Sequence, residues 1–287
     1  MKKIDLHMHV MTTWNLPKIG KIEISGPKRM IAHMDELGIA KAVLMSSGEK
    51  KTPLGKNESN RKICEQYPDC FAWMCTVDPV DEATVYERLA EYKRQGAIGV
   101  GEYTVNKPLD DSFQQAVFAA AEKLELPVTI HMSPEEGVGY GVVDRPRLPL
   151  LEAVLQKFPN LKVLGHSQVF WIEMSADAPD DNDGRNSWGN GPIKAGGRVP
   201  ELFAKYKNLY GDLSANSAGQ AIMRDPEFGI NFLETYADRL FFATDMVNSS
   251  MEFPLGKWLD MQMEEGKLSR EAYEKICWKN AQRIFRL

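Results

Sequence analysis

Short β-rich runs alternate with stretches of helical periodicity along the whole chain, and the runs begin near residues 3, 40, 70, 97, 127, 161, 209 and 239. Most intervals have the length of one strand, one helix and two loops, and only the sixth is long. Eight such units predict an α/β fold, a closed (β/α)8 TIM barrel, with residues 1–287 forming a single domain. The helices agree with the count. Phe113, Ala116, Val117, Ala120 and Leu124 fall at i, i+3, i+4, i+7 and i+11, which lays one apolar stripe along a helix. Val199, Leu202, Phe203 and Tyr206 repeat the pattern between strands six and seven. Near the end, Ser269 is placed to cap a helix carrying Ala272, Ile276, Ile284 and Phe285.

Two connections exceed the usual length, and both follow strand ends. Residues 10–27 carry Trp14, Pro17, Gly20 and Pro27, while residues 167–196 carry Trp171, Trp188 and a polar run from Asp177 to Asp183. Loops this long in a compact domain are functional or disordered. In a barrel the loops after the strands form the face where chemistry happens, so long active-site loops are expected after strands one and six.

Composition narrows the partners. A net charge of −5, with both signs interspersed and no basic block, leaves no footprint for nucleic acid or an anionic membrane surface. No apolar run reaches about 18 residues, and the N-terminus enters a strand where a signal peptide would build an apolar core. A soluble, cytoplasmic protein is the expectation. Cys64, Cys70, Cys75 and Cys277 lack CxxC spacing and read as reduced structural thiols. Gly99-Val-Gly101 and Gly137-Val-Gly139-Tyr-Gly141 lack the GxGxxG spacing with a helix behind it, so they read as close packing and turns, and no nucleotide cofactor is implied.

The chemistry stands at the C-terminal ends of the apolar runs. His7 and His9 end the first, Glu102 the fourth, His131 the fifth, His166 the sixth and Asp245 the eighth, which places four of the chain's five histidines in this set. Alternate side chains of a strand share a face, so His7 and His9 can grip one ion between them. A barrel brings these strand ends together around one axis. Their types suit zinc and related divalent ions, so a divalent metal centre is predicted. His33, on a helix between Met30 and Met34, reads as a surface histidine.

These segments resemble the amidohydrolase superfamily, specifically amidohydrolase family 2. The resemblance rests on Asp5-Leu6-His7-Met8-His9, His131, Leu164-Gly165-His166 and Phe242-Ala243-Thr244-Asp245, and it spans essentially the whole chain. Asn60-Arg61, Tyr67-Pro68-Asp69-Cys70-Phe71, Val77-Asp78-Pro79, Tyr210-Gly211-Asp212-Leu213-Ser214 and the run Lys279–Phe285 agree with it. The resemblance implies that His7, His9 and Asp245 bind the principal ion, with His131 a further ligand in a one-metal site. Some branches hold two metals, with Glu102 as a bridging carboxylate and His131 and His166 on the second ion. Others use one metal and keep His166 as a catalytic group. Relatives include lactone and other hydrolases and also nonoxidative decarboxylases.

A divalent ion lowers the pKa of bound water to roughly 7 and polarises a carbonyl. Asp245, touching metal and water, is the natural acceptor of the water's proton; its plain alternative is a helix cap. His166 reads as ligand, electrophile or core histidine, and Glu102 as a metal or acid–base group or as a partner that orients a histidine. Asp78 and Asp212 also follow strands and read as loop anchors. Arg145, Arg185, Lys194 and Arg198, in or beside the long loops, are candidates to bind a substrate carboxylate, with a solvated surface charge as the alternative for each. Trp14, Trp171 and Trp188 could wall a pocket or anchor a loop. The leading expectation is a metal-dependent hydrolase of a small-molecule ester, lactone or amide, with homodimerisation possible through the outer helices. A metal-dependent decarboxylase is the nearest alternative. A barrel that binds a metabolite without catalysis is a third, and nothing favours it because no expected ligand is missing.

Overall fold

Eight parallel strands supply the sheet in the computed structural model, which describes residues 3–11, 18–19, 22–50 and 55–287. They are β1 (Lys3–Met8), β2 (Ile39–Leu44), β3 (Phe71–Trp73), β4 (Val100–Tyr103), β5 (Val128–Ser133), β6 (Val163–His166), β7 (Leu209–Leu213) and β8 (Leu240–Phe242). Each begins within three residues of its predicted start, the largest offset being Val100 against residue 97. β1 to β3 pair in one parallel run and β4 to β8 in another, every strand beside its sequence neighbour.

Single bridges join the two runs into a ring. Cys75, just past β3, pairs with Val100, and Met8 pairs with Met246, just past β8. At the second join the Asp245 amide donates to the His7 carbonyl (2.7 Å) and the His9 amide to the Met246 carbonyl (2.9 Å). The result is a TIM barrel. Ile4, Leu6, Val43, Met45, Met74, Leu164, Tyr210 and Phe241 pack together inside it, with Phe285 of the last helix against Phe241 at the bottom. A separate outer layer holds the strands' other faces and the helices.

One irregularity in β1 aims the site. The three steps from Asp5 to Met8 pair with only two steps of β2, Ala42 to Leu44, so β1 bulges by one residue. Below the bulge the even residues Ile4 and Leu6 belong to the barrel interior; above it Met8 and Val10 belong to the outer layer. The odd residues His7 and His9 therefore turn inward at the top of the barrel. β4 repeats the device. Its steps from Val100 to Tyr103 pair with Val128 to Ile130, and Glu102 is turned inward although Gly101, next to it, already faces Met45 and Met74.

The outer helices follow the predicted stripes. Asp111 caps Ser112–Lys123 by accepting from the Phe113 amide, and the helix buries Phe113, Val117 and Ala120. Arg198–Lys205 buries Val199, Leu202 and Phe203. Ser269 caps Arg270–Glu274, which continues through a π-helical turn, Lys275–Lys279, into Asn280–Phe285.

Of the first long loop, Lys18–Ile19 and Ile22–Glu23 form a small antiparallel ribbon, and Trp14 lies outside the described residues. The loop after β6 is organised by two short helices, Gln168–Trp171 and Asn182–Arg185. A third long connection, residues 134–148, follows β5; the turn-like reading of its glycines does not anticipate it. Its Val142–Val143 lies alongside Met132–Ser133.

Candidate metal centre

The six strand-end residues meet. Nε2 of His7 and Nε2 of His9 are 3.2 Å apart, and each lies 3.3 Å from Oδ1 of Asp245. Bonds of about 2.0–2.1 Å at tetrahedral angles set neighbouring ligand atoms roughly 3.3 Å apart, so this triad has the spacing that a first-row divalent ion needs. A second triad stands beside it. Oε1 of Glu102 is 2.5 Å from Nδ1 of His131 and 3.6 Å from Nε2 of His166. The other Glu102 oxygen faces the first triad, 3.6 Å from His9 and 3.9 Å from His7. Glu102 thus spans both groups, and in doing so orients His131.

Three supports hold these side chains. His7 Nδ1 is 2.6 Å from the Asp212 carboxylate, which takes its proton in a hydrogen bond and leaves the Nε2 lone pair for an ion. His166 Nδ1 meets Ser214 Oγ at 2.9 Å. Asp5, fully buried, accepts from the Thr244 hydroxyl and from the His7 and Thr244 amides, clamping the strand that carries both first histidines to the residue before Asp245. Ser167 (φ 85), Ala215 (φ 57) and Asp245 (φ 61) lie just past β6, β7 and β8 in the left-handed region. Each such non-glycine residue costs on the order of 1–3 kcal/mol and concentrates at sites of function. Ser167 is held there by two hydrogen bonds to the Met132 backbone, which also fix β6 against β5.

The electrostatics ask for positive charge. Burial alone would strip a proton from His7, but Asp212, Asp245 and Glu102 outweigh it and push its pKa up to about 10. His166, just as buried and beside charged His7, is pushed down to about 4 and stays neutral. Burial raises Glu102, yet His131, His7 and His166 hold it well below the usual carboxylate range. Asp245 is lowered too, His7 and His9 overcoming its burial. Carboxylates that remain charged in a buried site beside imidazoles are a donor set for a divalent cation, whose charge would replace the proton that His7 otherwise carries. His9 Nδ1 is buried with no protein partner, so all its polar contact is at the Nε2 that faces the triad.

The amidohydrolase family model Amidohydro_2 matches residues 4–287. The chain belongs to this family. No curated protein matches the chain. Among solved structures it resembles 2,6-dihydroxybenzoate decarboxylase from Rhizobium, at 17% identity and TM-score 0.64 over 100% of this chain and 99% of that one. It also resembles a probable 2-pyrone-4,6-dicarboxylic acid hydrolase from Acinetobacter baumannii with citric acid bound, at 16% identity and TM-score 0.61 over 100% of both chains. A third is 5-carboxyvanillate decarboxylase from Novosphingobium aromaticivorans complexed with manganese, at 18% identity and TM-score 0.61 over 100% of this chain and 96% of that one. At these identities the likeness is one of fold.

The remaining candidate residues fall elsewhere. Trp171 is buried, donates to the Asp212 carbonyl (3.2 Å) and packs on Phe170, so it anchors its loop. Arg185 is buried too, donating to the Asp144 carbonyl (2.9 Å), while its Nε and Nη2 have no protein partner. Arg145 is exposed, Lys194 pairs with Asp177, and Arg198 pairs with Glu152 and Glu201. Asp78 anchors a loop by accepting from the Glu49 amide. His33 is on a helix as expected, but its side chain is largely covered, with Nε2 donating to the Met251 carbonyl (2.8 Å). Asp212 does accept from the Ser214 amide as a loop anchor, and its contact with His7 is the part sequence reasoning misses. The available signal is parity: Asp212 alternates with Tyr210, which faces the barrel interior.

Proposed function

We propose that this chain is a metal-dependent enzyme that cleaves an ester, lactone or amide bond of a small molecule with water as nucleophile. The observation that carries this reading is Asp245, which touches both first histidines yet has 28% of its side chain exposed, against 4% or less for His7, His9, Glu102 and His166. It is the group of the first triad that water and substrate reach.

His7, His9 and Asp245 would hold one cation, and His131, His166 and the bridging Glu102 fit a second. Zinc suits these nitrogen and carboxylate donors. When bound, such an ion acidifies water to a pKa of roughly 7 and polarises a carbonyl oxygen. Asp245 then takes the proton of the attacking water and returns it to the leaving group. Asp212 keeps His7 in the tautomer whose Nε2 faces inward. His166, neutral at physiological pH, presents Nε2 toward Glu102 and Asp245 and is fixed from behind by Ser214.

Nonoxidative decarboxylation is the second reading, supported by the two decarboxylases among the similar folds, one of them with manganese. Turnover in 18O-labelled water separates the two on a panel of lactones, aryl esters and hydroxybenzoates. Label in the organic product supports hydrolysis; carbon dioxide release without label overturns it in favour of the lyase. In either case Asp245→Asn lowers kcat by at least about 100-fold. Elemental analysis that finds two ions per chain supports the bridging role of Glu102, and a single ion with unchanged affinity in Glu102→Gln refutes it.

A further inference from the structure

The loop after β5 carries Gly137-Val138-Gly139-Tyr140-Gly141, and its three glycines have φ of 82°, 74° and 110°. Only glycine takes that region readily, so the segment is shaped by sequence and not by chance. Both of its ends are pinned. Asn106 Nδ2 donates to the carbonyls of Glu135 (3.2 Å) and Gly141 (2.9 Å), its Oδ1 accepts from the Gly137 amide (2.6 Å), and the Gly141 amide donates to the Thr104 carbonyl (2.9 Å). The tip is left to present Val138 and Tyr140.

Tyr140 lies over the metal centre. Its ring centroid is 4.4 Å from that of His131, with the planes tilted by 43°. A Cβ on Gly141 would stand 2.8 Å from the His131 ring and 2.9 Å from its carbonyl, so the loop can approach this closely only with glycine there. The tyrosine is nevertheless 57% exposed. It shares that character with Val138, Trp188 and Val80, all on loops that follow strands. Anchoring does not explain a bare aromatic face, because Asn106 and Thr104 already hold the loop.

We propose that Tyr140 is a substrate-positioning residue: the outer face of its ring receives the planar part of a small substrate, and its hydroxyl donates a hydrogen bond to an oxygen of that substrate at the mouth of the site. The proposal rests on the reading of the cluster as a metal-dependent active site. It adds a preference for planar over saturated substrates of equal charge and size.

The test uses the full-length protein loaded with Co2+, whose visible spectrum reports the centre, titrated with benzoate and with cyclohexanecarboxylate. Wild type binds benzoate more tightly. Tyr140→Leu reduces that preference by about three- to tenfold, and Tyr140→Phe retains it, while the cobalt spectrum without added acid is the same in all three. A purely structural tyrosine would not move the ratio between the two acids. Equal binding of both acids by wild type, binding of neither with cobalt in place, or an unchanged preference in Tyr140→Leu overturns the proposal. Failure to bind cobalt at all refutes the metal-centre reading instead, and removes the basis for the platform with it.

Discussion

At the scale of single residues, the candidate ligands are only as good as what stands behind them. His7 has rotational freedom to lose, and the Asp212 carboxylate removes it while adding basicity to Nε2. Asp212→Asn keeps the size and the turn hydrogen bond but loses the charge. It is expected to weaken metal affinity roughly 10- to 100-fold, measured by competition with a chromophoric chelator, and an unchanged affinity would show that Asp212 serves the loop alone. The convergence of these side chains was legible in the sequence because strand ends are marked by where apolar runs stop, and a histidine there has few other uses. Their supports were less so. Asp212 and Ser214 reach their partners across strands, and Trp171 is buried against Asp212 by a loop whose path depends on the rest of the barrel.

Among the elements, loops and their junctions explain more than the helices do. The helix Pro149–Lys157 starts from Leu148 in the left-handed region, which offers no side-chain cap. Asp144, reaching from the loop after β5, supplies it by accepting from the Leu150 (3.1 Å) and Leu151 (2.7 Å) amides. Burial pushes its pKa up to about 6, against those amides and Arg185, so the folded state holds a proton that the unfolded chain has released between about pH 4 and about pH 6. Its contribution to stability therefore falls as pH rises through that window, by at most about 3 kcal/mol. Measured as Tm, wild type should lose ground to Asp144→Asn between pH 4.5 and pH 7. A gap between the two that does not vary with pH would contradict this. Alternation along β1 predicted correctly that His7 and His9 share a face. It could not show that the same strand changes sides between Leu6 and Met8, since a bulge is set by the partner strand's register.

The whole molecule is a ring whose eight segments were visible as eight apolar runs, because a parallel barrel strand is buried on both faces and reads as a continuous stretch. Closure was not visible, being made by backbone groups that every residue possesses. The first triad sits on that seam: His7 comes from β1, His9 from just past it and Asp245 from just past β8. A bound ion therefore cross-links the first and last strands. At a free metal concentration 100 times Kd it adds about 2.7 kcal/mol, worth roughly 5 °C in Tm for a chain of this size. Stripping the protein with a chelator should lower Tm by that order and re-addition should restore it; a Tm indifferent to metal would argue against the triad as the site. Synthesis runs in one direction, and this has its own effect. Asp5 and the Thr244 that it clamps are 239 residues apart in the chain. A ribosome that has made His7 and His9 must still translate as far as Asp245 before their third partner emerges, so the nascent chain cannot complete this triad until the eighth strand has left the exit tunnel.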